Sequence, residues 1–137
     1  MNTTPTPNII LDIWTSWRAL PGWVQVWVAV ILVPVNMASL LFLSEPMGLW
    51  IAFLANIAMM INLLIMIRER GFSKMMALPH LLPWSALLAL ILLVRPEVGG
   101  PFRTYLTLLL VVDTVSLLLD YPDAIKWLRG DRRVVGR

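Results

Sequence analysis

Cysteine is absent from this chain, and histidine occurs once, as His80. Without cysteine there can be no disulfides, thiolate metal sites, thiol nucleophiles or palmitoylation. One histidine and no thiol make a structural zinc or haem site a poor fit, so neither a metal nor another cofactor is expected. Charge is also scarce: Asp, Glu, Lys and Arg make up 14% of 137 residues, against about 25% in a soluble domain. The sequence has no Gly-rich phosphate loop, nucleophile elbow, HExxH or paired membrane carboxylates, which argues against an enzyme. No basic patch is interleaved with aromatic residues, so nucleic acid is not an expected partner. The methionines of the second apolar run (Met47, Met59, Met60, Met66) do not suggest a soft-metal site. Met59 and Met60 are adjacent and point different ways round a helix, and Met is an ordinary gap-filler.

Apolar residues, by contrast, reach 59%, above the roughly 45–50% of a soluble domain. A small soluble protein leaves too much surface in water to hide them. A transmembrane helix needs about 20 mostly apolar residues to cross ~30 Å of hydrocarbon. Four stretches meet that length, at about 22–43, 47–67, 75–94 and 102–119. They are apolar all round, which excludes buried helices of a soluble bundle. Ser44-Glu45-Pro46, RERGFSK (68–74) and RPEVGGP (95–101) are short connections with Gly or Pro where helices stop. Short connections make successive helices antiparallel neighbours. The expected fold is an all-α membrane protein, a four-helix transmembrane bundle with N- and C-terminal interfacial amphipathic helices. Residues 1–21 form the N-terminal interfacial segment, 22–119 the bundle and 120–137 a basic tail.

With four spans, segment 1–21, loop 68–74 and the tail share one side. They carry Arg18, Arg68, Arg70, Lys74, Lys126, Arg129, Arg132, Arg133 and Arg137, nine in all, against Arg95 and Arg103 opposite. The positive-inside rule then predicts a multi-pass protein of a cell membrane, of the bacterial inner-membrane kind, with both termini cytoplasmic. Neither a signal peptide nor a lipid anchor is expected. Within the first twenty residues no Lys or Arg precedes the apolar residues, position 2 is Asn, and the chain ends VVGR. In NIILDIWTSWRALPGW, Ile10, Ile13, Trp14 and Trp17 recur at helical spacing, opposite Asp12, Thr15, Ser16 and Arg18. In the tail, Pro122 opens a second such segment with Ile125, Trp127 and Leu128. Its Lys126 and Arg129 suit anionic lipid headgroups. Trp14, Trp17, Trp23, Trp27 and Trp127 are the expected interface anchors, with Trp50 and Tyr105 at the opposite interface.

An ionisable residue inside a span is costly and usually faces a partner in the interior. Asp113 lies seven residues before Asp120, or ~10 Å deep. His80 and Asn62 each lie about five residues from the same end, ~8 Å deep. Asp113, His80 and Asn62 are therefore the candidate intramembrane polar cluster. Asn36 and Asn56 form a secondary set in the outer half. Ser116 follows Asp113 on one helical stripe, with Asp120 further along it. The bland reading is that the asparagines join helices and that His80, between Pro79 and Pro83, satisfies carbonyls freed by those prolines.

Size and span number are similar to those of the small multidrug transporters. That family carries its decisive acid in the first span, and here the first span offers the amides Gln25 and Asn36 but no acid. Two functions follow. One is a non-enzymatic subunit, acting as a homo-oligomer or as an accessory part of a larger membrane assembly. The other is a small proton-linked transporter or channel, with Asp113 exchanging a proton with His80.

Overall fold

The computed structural model describes residues 7–136. Residues 1–6 of the expected N-terminal segment, and Arg137 of the tail, lie outside the described residues. Among the described residues the chain is all-α. A short helix α1 (Ile9–Ala19) precedes four long ones: α2 (Gly22–Phe42), α3 (Gly48–Glu69), α4 (Lys74–Glu97) and α5 (Gly100–Leu128). Each of the four is long and apolar enough to cross a membrane. The helices close into a bundle, with α3 against α4, α4 against α5, and α2 against both α3 and α5.

The inward stripe of α3 is Gly48, Ile51, Ala52, Ala55, Ala58, Asn62 and Ile65, at helical spacing and mostly small. Small residues let the neighbouring helix approach closely. Trp84 of α4 uses that space: it is fully buried and its indole Nε1 donates to Ala55 O at 3.2 Å. Leu87, Ile91, Leu106 and Leu109 complete the buried core. The outward residues are equally apolar, with Leu41 and Leu82 each 80% exposed. Such a surface suits hydrocarbon and not water. At the α2–α3 connection a Cβ on Gly48 would lie 2.0 Å from Phe42 O, so only glycine lets the two helices turn there.

Two elements depart from regular geometry or from expectation. α2 is α-helical at Gly22–Val26, π-helical at Trp27–Leu32, α-helical again at Val33–Met37 and 3-10 at Ala38–Phe42. Pro34 accounts for the change. It has no N–H to donate and its ring crowds the carbonyl four residues back. A wider turn relieves that crowding, and Val33 N–H accordingly reaches back five residues to Val28 O. The second departure is the length of α5. The fourth span was expected to end at residue 119, but α5 runs 29 residues, through Pro122, to Leu128. A proline in a helix removes one backbone bond, here the one to Leu118 O, and Ala124 remains packed beyond it. The amphipathic C-terminal segment is thus the end of α5.

One end of the bundle is stitched by polar contacts. α1 turns Asp12 and Ser16 inward, both buried, and leaves Ile10 and Trp14 exposed, as suits a helix lying against lipid. Asp12 Oδ2 accepts from Arg70 Nε at 2.7 Å. Ser16 Oγ donates to Val135 O at 2.7 Å and accepts from Phe72 N at 2.9 Å. Val135 N donates to Phe72 O at 2.7 Å, beside an antiparallel bridge between Ser73 and Val134. Gly71 fits where a Cβ would meet Val134 Cγ1 at 2.6 Å and Ser16 Oγ at 2.8 Å. The tail is therefore a docked strap. Asp131 ties it further, 3.1 Å from both Lys74 Nζ and Arg133 Nε. Hydrogen bonds from Arg133 and Lys74 pull the Asp131 carboxyl down to about 2.

These contacts set how the strap responds to pH and to mutation. The Asp131 contribution is complete above its ordinary value of 3.8 and is lost as pH falls through about 2. The strap should stay docked down to about pH 4 and loosen below that. Ser16→Ala removes two hydrogen bonds, the one to Val135 O and the one from Phe72 N, and strands that N–H, at a cost of about 1–3 kcal/mol. Hydrogen exchange at Phe72 and Val135 should accelerate in this variant while α4 and α5 stay protected. Unchanged exchange at both amides would show that the strap is held by something else.

Candidate functional site

The polar residues of the spans form two separate systems. The first answers the irregular path of α2. Asn36, fully buried, donates from Nδ2 to Leu32 O at 3.0 Å and to Asp113 Oδ1 at 2.7 Å. Its backbone carbonyl accepts from Ser39 Oγ at 2.6 Å and from Asn56 Nδ2 at 3.4 Å. Asn56 Nδ2 also donates to Ser39 Oγ at 2.9 Å and to Ala52 O at 2.8 Å. Tyr105 OH donates to Val35 O at 2.6 Å, with its ring stacked on Phe42. Two helices, α3 and α5, are tied to the segment of α2 on either side of Met37, where α geometry gives way to 3-10. Tyr105 was expected at the outer membrane interface. It is instead buried and bonded to the backbone of α2, because that carbonyl lies beside a turn the proline has disturbed.

The second system centres on His80, one turn into α4. Its ring stacks on Trp84, four residues on, at 4.0 Å between centroids and 3° between planes. Nδ1 lies 2.7 Å from Asp120 Oδ2, and Nε2 lies 2.9 Å from Asn62 Nδ2. Ser116 Oγ donates to the same Asp120 oxygen at 3.3 Å. An amide Nδ2 can only donate, so Nε2 accepts and the ring proton sits on Nδ1, facing Asp120. Stacking and two hydrogen bonds fix the plane of the ring, and its tautomer follows the orientation of the Asn62 amide.

The expected cluster of Asp113, His80 and Asn62 is therefore divided. His80 and Asn62 meet, and Asp113 does not join them. Asp113 is fully buried, its Oδ1 is held by Asn36, and among the described residues its Oδ2 has no hydrogen-bond partner. The acid at His80 is Asp120, two turns further along the same stripe. The physical reason is the extra length of α5. Asp120, expected at a helix end in the headgroups, lies within a continuous helix at the level of His80, which puts Asp113 deeper.

A cavity of about 700 Å³ opens beside the His80 system. Asn62, His80, Ser116 and Asp120 form its polar wall. Trp17, Trp23, Trp27, Met59 and Phe72 contribute apolar surface, and Val135 of the strap borders it. Trp17 and Trp27, expected as interface anchors, thus also line a cavity. Trp14 and Trp23 are well exposed, and Trp127 is half-buried, with the guanidinium of Arg132 4.1 Å over its ring. Asp120 and Trp84 were not among the expected site residues. The spacing Ser116–Asp120 could have revealed the first, and the spacing His80–Trp84 the second, since both are four-residue steps on one helix face. No protein-family model matches this sequence, and comparison with curated proteins and with solved structures finds no match. Among the described residues no group of three or more His, Cys, Asp or Glu is placed to hold a metal ion.

Asn36→Ala and Asp113→Asn should behave very differently. The first removes the hydrogen-bond partner that the described residues give a fully buried acid and should cost about 1–3 kcal/mol. The second keeps an oxygen for Asn36 and turns the partnerless Oδ2 into an amide, so stability should hold or rise. Thermal unfolding in a mild detergent separates the two. Equal damage from both would mean that Asp113 has a partner other than Asn36.

Proposed function

We propose that this multi-pass membrane protein is not an enzyme and acts by binding, as a subunit of a homo-oligomer or of a larger membrane assembly. It does not pass a substrate or proton through its own centre. The closed middle of the bundle carries this reading. Asn36, Asp113, Ala55, Trp84, Leu106 and Leu109 are each fully buried there, and Asp113 is bonded to Asn36 rather than to His80. A proton path from Asp113 to His80 would have to cross that packing. At the end that carries the docked tail, a partner or anionic headgroups can meet the exposed Arg129 and Arg132.

The same reading puts both termini in the cytoplasm of a bacterial cell, on the strength of nine basic residues against two. A C-terminal reporter active only outside the cytoplasm should stay silent. For the function itself, the purified protein in proteoliposomes should not dissipate a pH gradient. Native mass measurement in mild detergent should find more than one chain per particle. Proton flux abolished by Asp113→Asn at normal expression would overturn the proposal, as would a particle holding a single chain.

A further inference from the structure

The polar wall of the cavity contains an acceptor with nothing donating to it. Asn62 is 9% exposed and lines the cavity, and among the described residues its Oδ1 has no hydrogen-bond partner. Its Nδ2 is committed to His80 Nε2. A buried carbonyl oxygen in this state favours any ligand that brings an N–H or O–H. The charges around it narrow the choice. α5 contributes Asp120 and Asp123 to the lining. α4 contributes Lys74, already paired with Asp131 of the tail, and His80, whose Nδ1 is paired with Asp120. Between Gly22 and Ile67 the only ionisable residue is Glu45, in the α2–α3 connection, so α2 and α3 bring no charge to the cavity. Arg18 of α1 is engaged with Gln25, and Asp113 is sealed against Asn36. Two acids and an empty-handed amide oxygen thus face a lining of Trp, Phe and Met, which also favours a cation over its rings.

We propose that this cavity binds an amphiphilic primary ammonium ion, and that the ligand and a proton on His80 exclude each other. The head donates to Asn62 Oδ1, with Asp120 and Asp123 supplying the counter-charge, and the apolar body lies along Trp27 and Met59. The inference rests on reading the protein as one that acts by binding. Exclusion follows from hydrogen-bond accounting. An imidazolium donates from both nitrogens. Nδ1 keeps Asp120, and Nε2 then needs an acceptor. Asn62 must turn over to supply its oxygen, which leaves its NH2 group facing the cavity. The ligand loses its acceptor and meets an added positive charge at once. Whichever cation arrives first therefore opposes the other.

The test uses the full chain in phosphatidylcholine nanodiscs, titrated with dodecylammonium and followed through the signals of the single histidine and by calorimetry. Binding should saturate at about pH 8 and weaken by about tenfold or more at about pH 5.5, across the range where histidine changes charge. Dodecyltrimethylammonium has the same charge and chain but no N–H, and should bind about tenfold or more weakly. Asn62→Leu should abolish the preference between the two cations. The two wild-type comparisons carry the test if that variant does not fold. Nanodiscs containing phosphatidylethanolamine distinguish the source of the ammonium. If those lipids alone move the His80 signals to their amine-bound positions, the natural ligand is a headgroup. If only the added amine does so, it is a free amphiphile. Absence of saturable binding, equal affinity for both cations, or affinity that does not fall on acidification would overturn the proposal. Binding accompanied by amine flux in proteoliposomes would leave it standing and remove the proposed function instead.

Discussion

Asn36 holds the bundle together at its weakest point. A proline in the first membrane-crossing helix forces that helix to widen and then tighten, and the carbonyls near the change need donors that lipid cannot supply. One side chain meets much of that need. The Asn36 amide serves Leu32 O and Asp113, and its own carbonyl receives Ser39 and Asn56. α2, α3 and α5 are joined through that residue in a layer otherwise filled by Ala, Leu and Trp. Asp113 belongs to this repair, which gives the acid a structural reason to be where it is.

Because the Asn36 layer is closed, the chemistry left over lies nearer the end that carries the strap. His80, Asn62, Asp120 and Ser116 come from three helices and meet at one edge of a cavity. The ring is held by stacking on Trp84 and by bonds at both nitrogens. Such a ring cannot reorient without breaking a contact. A change in its protonation is therefore passed to Asn62, whose amide can turn. α1, loop 68–74 and the docked tail border the same cavity through Trp17, Phe72 and Val135. Docking of the tail and shape of the cavity are linked by shared residues.

Much of the fold is legible in the sequence, because length and apolarity are properties of whole segments. Four runs of about 20 apolar residues can be little else but spans, and the short loops fix their alternation. The polar partners are harder to read. Depth counted from a helix end inherits any error in that end, and Asp120-Tyr121-Pro122 looks like a stop although α5 continues for two more turns. That misplacement puts Asp113 beside His80 on paper, where the structure has Asp120. Likewise Tyr105 looks like an interface residue, since nothing local signals that Val35 O, seventy residues away, is within reach. His80–Asn62 was legible because both lie within a few residues of well-defined ends.

The central claim is that His80 is neutral with its proton on Nδ1, so that Asn62 is held with its carbonyl toward the cavity. Nitrogen-15 NMR of histidine-labelled protein in nanodiscs tests it directly, since the chain has one histidine and gives one pair of ring signals. At mildly alkaline pH, Nδ1 should carry the proton and Nε2 should show the shift of an unprotonated acceptor. A proton on Nε2 with Nδ1 bare would mean that Asn62 faces the other way, and the account of the site would be wrong.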